Sequence, residues 1–150
     1  MAVVVERERV TSQVTRIEKL EEVAASLGQG DPRRATLDEV VRAEIEEMPA
    51  LRAVIAAQLL GISEKSVREW VKAGVLVART NSPRLVLEPG RVLVVRRIVQ
   101  ELRSAGVARE LLDAVYFRTV DRALVESPEF AESLTQLRRG EGRKVRSRSV

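Results

Sequence analysis

The chain has 150 residues but no cysteine and no histidine, and aromatic residues make up only 3% of it. These absences exclude the usual zinc sites, Ser–His and Cys–His catalysis, and any disulfide that would indicate a secreted protein. Apolar residues still account for 45% of the chain, so its core must be aliphatic. We therefore expect a mainly helical protein that is not an enzyme and that needs no metal or cofactor.

Long apolar runs are also missing. No stretch approaches the roughly 18 apolar residues that a membrane span requires. The first ten residues, MAVVVERERV, are too short and too acidic for a signal peptide. The sequence thus predicts a cytoplasmic protein that makes no membrane contact.

Charge is distributed unevenly around a formal net charge of +4. Residues 52–97 hold nine basic and three acidic side chains, a balance of +6, and residues 138–150 hold six and one. Residues 1–51, with seven and eleven, and residues 98–137, with four and seven, are acidic. A local basic patch beside acidic flanks is typical of a protein that binds nucleic-acid phosphates with one part of its surface.

Residues 53–72, AVIAAQLLGISEKSVREWVK, have the spacing of a helix-turn-helix. Ala57 is small enough for two helices to cross closely, and Gly61 suits a turn that needs a positive φ. Val67 would fill the space between the helices, and the Ser63 hydroxyl can cap the second helix. An ordinary helical hairpin in a core is the alternative interpretation, and Trp70 is expected to be a core residue in both.

The residues that follow, GVLVARTNSPRLVLEPG, alternate around a Thr-Asn-Ser-Pro turn and predict a short β-hairpin. The stretch LLGISEKSVREWVKAGVLVA, this hairpin, and the helical segments RVLVVRRIVQELRSAG and ARELLDAVYFRTV together resemble the winged helix-turn-helix of the MerR and excisionase-like superfamily. The resemblance covers about residues 50–117 and implies a DNA-binding protein. The chain differs from full-length MerR regulators in its fifty preceding residues and its lack of cysteine.

In this interpretation the second helix lies in the major groove. Lys65 and Arg68 would donate to guanine, and Glu64 or Glu69 would accept from cytosine. An alternative role for Arg68 and Glu69 is charge pairing within the helix, with Glu64, Lys65 or Lys72. The remaining candidates would contact phosphates or the minor groove: Ser63, Ser66 and Lys72 on the helix, and Arg79, Asn81 and Arg84 on the wing. Arg91, Arg96 and Arg97 after the wing could also contact phosphates.

The flanking segments predict further helices. We expect a helical N-terminal extension (1–49), the winged helix-turn-helix (50–106), a helical C-terminal segment (107–142) and a disordered basic tail (143–150). In the extension, one amphipathic helix would run from about Arg7 to Leu27, packing on the chain's own core or on a second subunit. A Thr36–Glu39 capping box would begin the next. Pro89 and Gly106 would bound the helix after the wing, and Leu111 to Leu124 would mark a further one.

Residues 129–142, EFAESLTQLRRGEG, resemble the C-terminal segment of bacterial antitoxins of the prevent-host-death and RelB kind, which implies a toxin protein as partner. The leading hypothesis is a sequence-specific, double-stranded-DNA-binding transcriptional regulator, acting as a homodimer and as the autoregulating antitoxin of a toxin–antitoxin pair. Alternatives are an excisionase-like architectural factor that bends DNA, and a protein-interaction adaptor with a vestigial helix-turn-helix.

Overall fold

The computed structural model describes residues 2–126, with the side chains of residues 3–120. The elements follow in the order α1 (Ala2–Ala25), α2 (Pro32–Glu46), β1 (Leu51–Arg52), α3 (Ala53–Leu60), α4 (Glu64–Lys72), β2 (Ala78–Thr80), β3 (Val86–Leu87), α5 (Pro89–Ser104) and α6 (Leu111–Glu126). The expected mainly helical class with a small antiparallel sheet is confirmed. The end of the predicted C-terminal segment (127–142), which includes the antitoxin-like residues, and the predicted basic tail lie outside the described residues. Among the described helices, none combines the length and apolarity needed to cross a bilayer.

Helix α1 starts earlier than predicted, at Ala2 rather than near Arg7. Its stripe of apolar residues packs into the core of the same chain, where Val10, Val14 and Ile17 are almost completely buried. These side chains are covered by their own chain, so this seam is not available to a second subunit. Of the two predicted ways to pack α1, the structure has the intramolecular one.

The predicted start of α2 is wrong by five residues, about one and a half helical turns. Asp31 is the N-cap, with its carboxylate accepting a hydrogen bond from the Arg33 backbone N–H at 2.9 Å, and Pro32 is the first helical residue. The Thr36 hydroxyl instead donates to the Pro32 carbonyl oxygen. An Asp-Pro pair supplies both a capping carboxylate and a residue that loses nothing for lacking an N–H, so the helix begins there. The Arg33 side chain also binds this carboxylate, which lowers the pKa of Asp31.

Helices α3 and α4 form the tight hairpin that the spacing of small residues predicts. Gly61 ends α3 in the left-handed region, at φ 67° and ψ 37°, so the expected positive φ is confirmed. The Ile62 N–H donates to the Ala57 carbonyl oxygen at 3.0 Å, which closes the turn. Val67 is fully buried between the helices, and Ser63 caps α4 as predicted.

The sheet has three short antiparallel strands in the order β1-β3-β2. Strands β2 and β3 form the predicted hairpin, with Ala78 opposite Leu87 and an irregularity before Thr80 pairs with Val86. Strand β1 was not predicted, because two residues are too few to show an alternating pattern. It pairs Leu51 with Leu87 and thereby attaches the hairpin to the start of α3.

Helix α5 lies at the centre of the molecule and packs against α2, α3 and α6. Its apolar face is buried, at Val92, Val95, Ile98, Val99 and Leu102. Pro89 is the first helical residue, and Gly106 follows the end of the helix at φ 87°, both as predicted. Helix α6 packs on α5 through Val115 and leaves Tyr116 and Phe117 exposed.

Candidate nucleic-acid interface

Helix α4 is nine residues long, about 13 Å, and its two faces differ completely. Val67 and Trp70 face the core, which confirms the prediction for Trp70. The other face exposes the five charged residues predicted to contact DNA: Glu64, Lys65, Arg68, Glu69 and Lys72. A charged helix of this length and width can enter the major groove of B-DNA, which is about 12 Å wide.

Two of the predicted contact residues, Ser63 and Ser66, are engaged with each other at the start of α4. The Ser63 Oγ accepts a hydrogen bond from the Ser66 backbone N–H at 3.0 Å and lies 3.0 Å from the Ser66 Oγ. Their hydroxyls therefore hold the N terminus of α4 in a fixed geometry. A phosphate contact from either serine would have to share or replace these hydrogen bonds.

A groove of about 130 Å³ lies between α4 and the loop of the hairpin. It is lined by Arg68, Val71, Lys72, Asn81 and Leu85. Three of these residues, Arg68, Lys72 and Asn81, were predicted to contact DNA from two separate elements, and the structure brings them together. Val71 and Leu85 were not predicted as part of this surface, since a half-buried apolar residue gives no sequence signal that distinguishes a groove wall from the core.

The three predicted residues of the hairpin have different surroundings. The Arg79 guanidinium donates two hydrogen bonds to the Glu88 carboxylate, from Nε to Oε1 at 2.8 Å and from Nη2 to Oε2 at 2.9 Å. These bonds lower the pKa of Glu88 and raise that of Arg79. Arg79 therefore braces the base of the hairpin, whereas Asn81 and Arg84 are exposed in its loop.

Three more arginines that the sequence places in the basic block are held by glutamates of α1. The ion pairs are Arg52–Glu6 at 3.1 Å, Arg96–Glu18 at 3.4 Å and Arg97–Glu21 at 2.6 Å. Sequence analysis treated Arg96 and Arg97 as available to phosphates, whereas the structure places each beside a carboxylate of α1, with which a phosphate would have to compete. Segment-by-segment charge counts could not detect this neutralisation, since the acids come from a distant part of the chain.

Five cations of residues 52–97 have no ion-pair partner within the described part of the chain: Lys65, Arg68, Lys72, Arg84 and Arg91. The alternative of ion pairs within α4 is not found there either. Arg68 instead donates a long hydrogen bond, 3.4 Å, to the Glu64 carbonyl oxygen. The charges of α4 are therefore turned to solvent and remain available to a ligand.

Sequence analysis missed Arg103, which holds the turn between α3 and α4 from the far end of α5. Its Nη1 donates to the Leu60 carbonyl oxygen at 3.0 Å and its Nη2 to the Gly61 carbonyl oxygen at 2.8 Å. The last carbonyls of a helix have no partner within the helix, so a cation there satisfies them. Residues 43 positions apart leave no local sequence signal for such a contact.

Within the part of the chain that the structure describes, no cluster of three or more acidic side chains is arranged to hold a metal ion. Comparison with known proteins finds no family model, no curated protein and no solved structure that matches this chain. The surface formed by α4 and the hairpin loop must therefore be interpreted from its own geometry and charge.

Proposed function

We propose that the chain is a sequence-specific DNA-binding transcriptional regulator, with α3 and α4 as its helix-turn-helix and the β2–β3 hairpin as its wing. The observation that carries the proposal is the surface on which Arg68 and Lys72 of α4 meet Asn81 of the hairpin loop across one groove. A helix that offers unpaired cations beside a polar loop can read base edges and hold the adjacent phosphates at the same time.

The proposed DNA contact of each residue follows from its position along α4. Lys65 and Arg68 lie on the exposed side of its first two turns, from which they can donate to guanine O6 and N7. Lys72 ends the helix and faces Asn81 across the groove, so both suit phosphate contacts beside the base-reading surface. Glu64 and Glu69 are acceptors for cytosine N4 and would repel phosphates placed wrongly, which adds selectivity.

The unpaired cations also set the strength of binding. Lys65 and Arg68 are assigned to bases, so Lys72, Arg84 and Arg91 remain for the backbone and would neutralise about three phosphates per subunit. One such unit covers only a half-site, and two units on a symmetric site multiply the discrimination, so we propose a homodimer on DNA. The antitoxin role depends on residues 129–142, outside the described residues, and stays a prediction.

Selection of bound duplexes from a random pool, followed by affinity measurements on the enriched site, tests this function. Arg68→Ala should weaken specific binding by ~1–3 kcal/mol and relax the preference at one base position. Arg9→Ala is the matched control, because Arg9 is exposed on α1 and has no ion-pair partner among the described residues.

Three results bear against the proposal. Selection that enriches no sequence would exclude specific recognition. A folded Arg68→Ala protein that binds like the parent would remove α4 as the reading helix. Equal losses from Arg68→Ala and Arg9→Ala would indicate a response to net charge alone.

A further inference from the structure

The outer surface of the α1–α2 hairpin carries two shallow apolar grooves that meet at one residue. The larger, about 390 Å³, lies between the two helices and is lined by Val23, Leu27, Arg33, Thr36 and Leu37. The smaller, about 310 Å³, is lined by Arg16, Lys19, Leu20 and Val23. Val23, which both share, is 52% exposed. We call this continuous surface the α1–α2 groove.

The apolar surface continues along α2. Val40 follows Leu37 by three positions and Thr36 by four, so it lies on the same side of the helix. Val40 is 43% exposed, whereas Val41 beside it is buried. Contiguous apolar surface that a folded chain leaves uncovered is typical of a site that contacts another molecule.

Positive charge borders the α1–α2 groove. Arg16 and Lys19 are exposed and have no ion-pair partner among the described residues. Arg33, at the other end, is bound to the Asp31 carboxylate. Along this part of α1 the glutamates Glu18 and Glu21 pair with arginines of α5 instead. The groove is therefore apolar along its length and cationic at one end.

The charges around the α1–α2 groove distinguish between the kinds of molecule that could bind in it. A second copy seated groove to groove would offer Arg16 and Lys19 no carboxylate, because none of the residues that line the two grooves is acidic. DNA has no apolar surface that would benefit from Val23 and Leu27. A lipid surface is bound by apolar side chains that project fully outward from a helix, whereas Leu20, Leu27 and Leu37 are partly buried here.

We propose that the α1–α2 groove binds one amphipathic helix of a partner protein, with apolar side chains in the groove and acidic side chains facing Arg16 and Lys19. Helix-in-groove recognition of this kind uses apolar anchors spaced three and four residues apart. The lining residues come from α1, the loop that follows it and α2, and none belongs to α4 or the hairpin loop. A bound partner therefore leaves the surface of the proposed DNA reader open, and this inference extends beyond the proposed function.

The test uses two synthetic peptides about 16 residues long, four helical turns, with leucines at positions i, i+3, i+4 and i+7 of each repeat. One carries glutamate at the flanking positions, and the other carries lysine. Each is titrated into the 15N-labelled full chain while amide chemical shifts are recorded. The acidic peptide should shift Val23, Leu27 and Leu37, and the basic peptide should not.

Two variants make the result specific. Val23→Ser should weaken the acidic peptide about tenfold, since one valine side chain no longer becomes buried on binding. Val94→Ser is the matched control, because Val94 is a valine exposed to 38% on α5, and it should leave the affinity unchanged.

The other outcomes overturn the proposal. It fails if neither peptide binds, if both bind alike, or if the shifts map to Tyr116 and Phe117. Sedimentation that shows a dimer in the parent and a monomer in Val23→Ser would assign the groove to a second copy. Binding to phosphatidylglycerol vesicles that Val23→Ser abolishes would assign it to a lipid surface.

Discussion

The cations around α4 and the arginines facing α1 carry the same charge in very different surroundings. Lys65, Arg68 and Lys72 are turned to solvent without ion-pair partners among the described residues, whereas Arg96 and Arg97 are bound by Glu18 and Glu21. The first group can bind a ligand, and the second already faces carboxylates of the same chain. The +6 balance of residues 52–97 therefore overstates the positive surface, because part of it is neutralised by the N-terminal extension.

The ion pairs of α1 are partly exposed, and such pairs contribute about 0–1 kcal/mol each. Apolar packing by Val10, Val14 and Ile17 must then supply most of the attachment energy of α1. The ion pairs with α5 therefore set where α1 lies along that helix. They contribute little of the free energy that keeps it in place. This division predicts large effects from α1 core residues and small ones from its glutamates.

Ile17→Ala should have the largest effect on stability. Ile17 is fully buried, and truncating it leaves a cavity in the core that lowers the free energy of unfolding by ~2–5 kcal/mol. Urea denaturation followed by circular dichroism measures the change. Val5→Ala, an exposed position on the same helix, should stay within about 0.5 kcal/mol of the parent. Equal effects of the two substitutions would mean that α1 does not pack as described.

Gly61→Ala should have the next largest effect on the free energy of unfolding. At φ 67° an alanine is strained by ~1–3 kcal/mol. Its Cβ would also lie 2.6 Å from the Arg103 Nη1, so the guanidinium must move away from the carbonyls it binds. Gly106→Ala is the matched control, since Gly106 has a similar φ of 87° with open space around it.

A double-mutant cycle with Arg103→Ala separates strain from the lost contact. Gly61→Ala should cost less in the Arg103→Ala background than in the parent, by about 0.5–1.5 kcal/mol for each hydrogen bond already absent. Thermal unfolding of the four proteins gives the coupling. Strict additivity would show that Arg103 does not clamp this turn.

Local chemistry explains which parts of the fold the sequence predicted. Gly61, Ser63 and Trp70 were assigned correctly because a turn, a cap and an apolar helix face each depend on neighbouring residues. The start of α2 was wrong because two capping signals compete within five residues, and the Asp31–Pro32 pair outranks Thr36. Strand β1 is defined only by its pairing with β3, so its two residues carried no signal.

The candidate site could be predicted from the sequence to the same extent as the fold, that is, only where neighbouring residues determine it. The exposed face of α4 follows from helical periodicity, and Arg68 and Lys72 were identified on it. The contact of Arg103 with Gly61 and the pairing of Arg96 with Glu18 join elements far apart in sequence. Such contacts determine which charges remain available, and periodicity within one helix carries no information about them.

The salt dependence of DNA binding directly compares the exposed cations of α4 with the arginines that face α1. Each phosphate contact contributes about 0.9 to the slope of log K against log salt concentration, so Lys72→Ala should reduce the slope by about one per subunit. Arg97→Gln should leave the slope unchanged, because Glu21 already binds this guanidinium. Titrations of the selected duplex at several salt concentrations measure both. A slope reduced by Arg97→Gln would mean that α1 gives up this arginine when DNA binds.

The smallest effect on stability is expected from the Arg79–Glu88 ion pair at the base of the hairpin. Hydrogen bonds from Arg79 hold the pKa of Glu88 below the ordinary glutamate value of 4.5. A carboxylate with a lowered pKa in the folded state stabilises the fold fully above its ordinary pKa, and this contribution is lost as the pH falls through the folded-state value. Glu88→Gln should therefore lower the melting temperature slightly at pH 7, and the difference from the parent should shrink towards pH 3.

Arg118→Gln is the control, because it removes an arginine from an exposed ion pair on α6, away from the hairpin. A difference between parent and Glu88→Gln that is constant from pH 7 to pH 3 would mean that Glu88 supports the hairpin by packing and not through its charge.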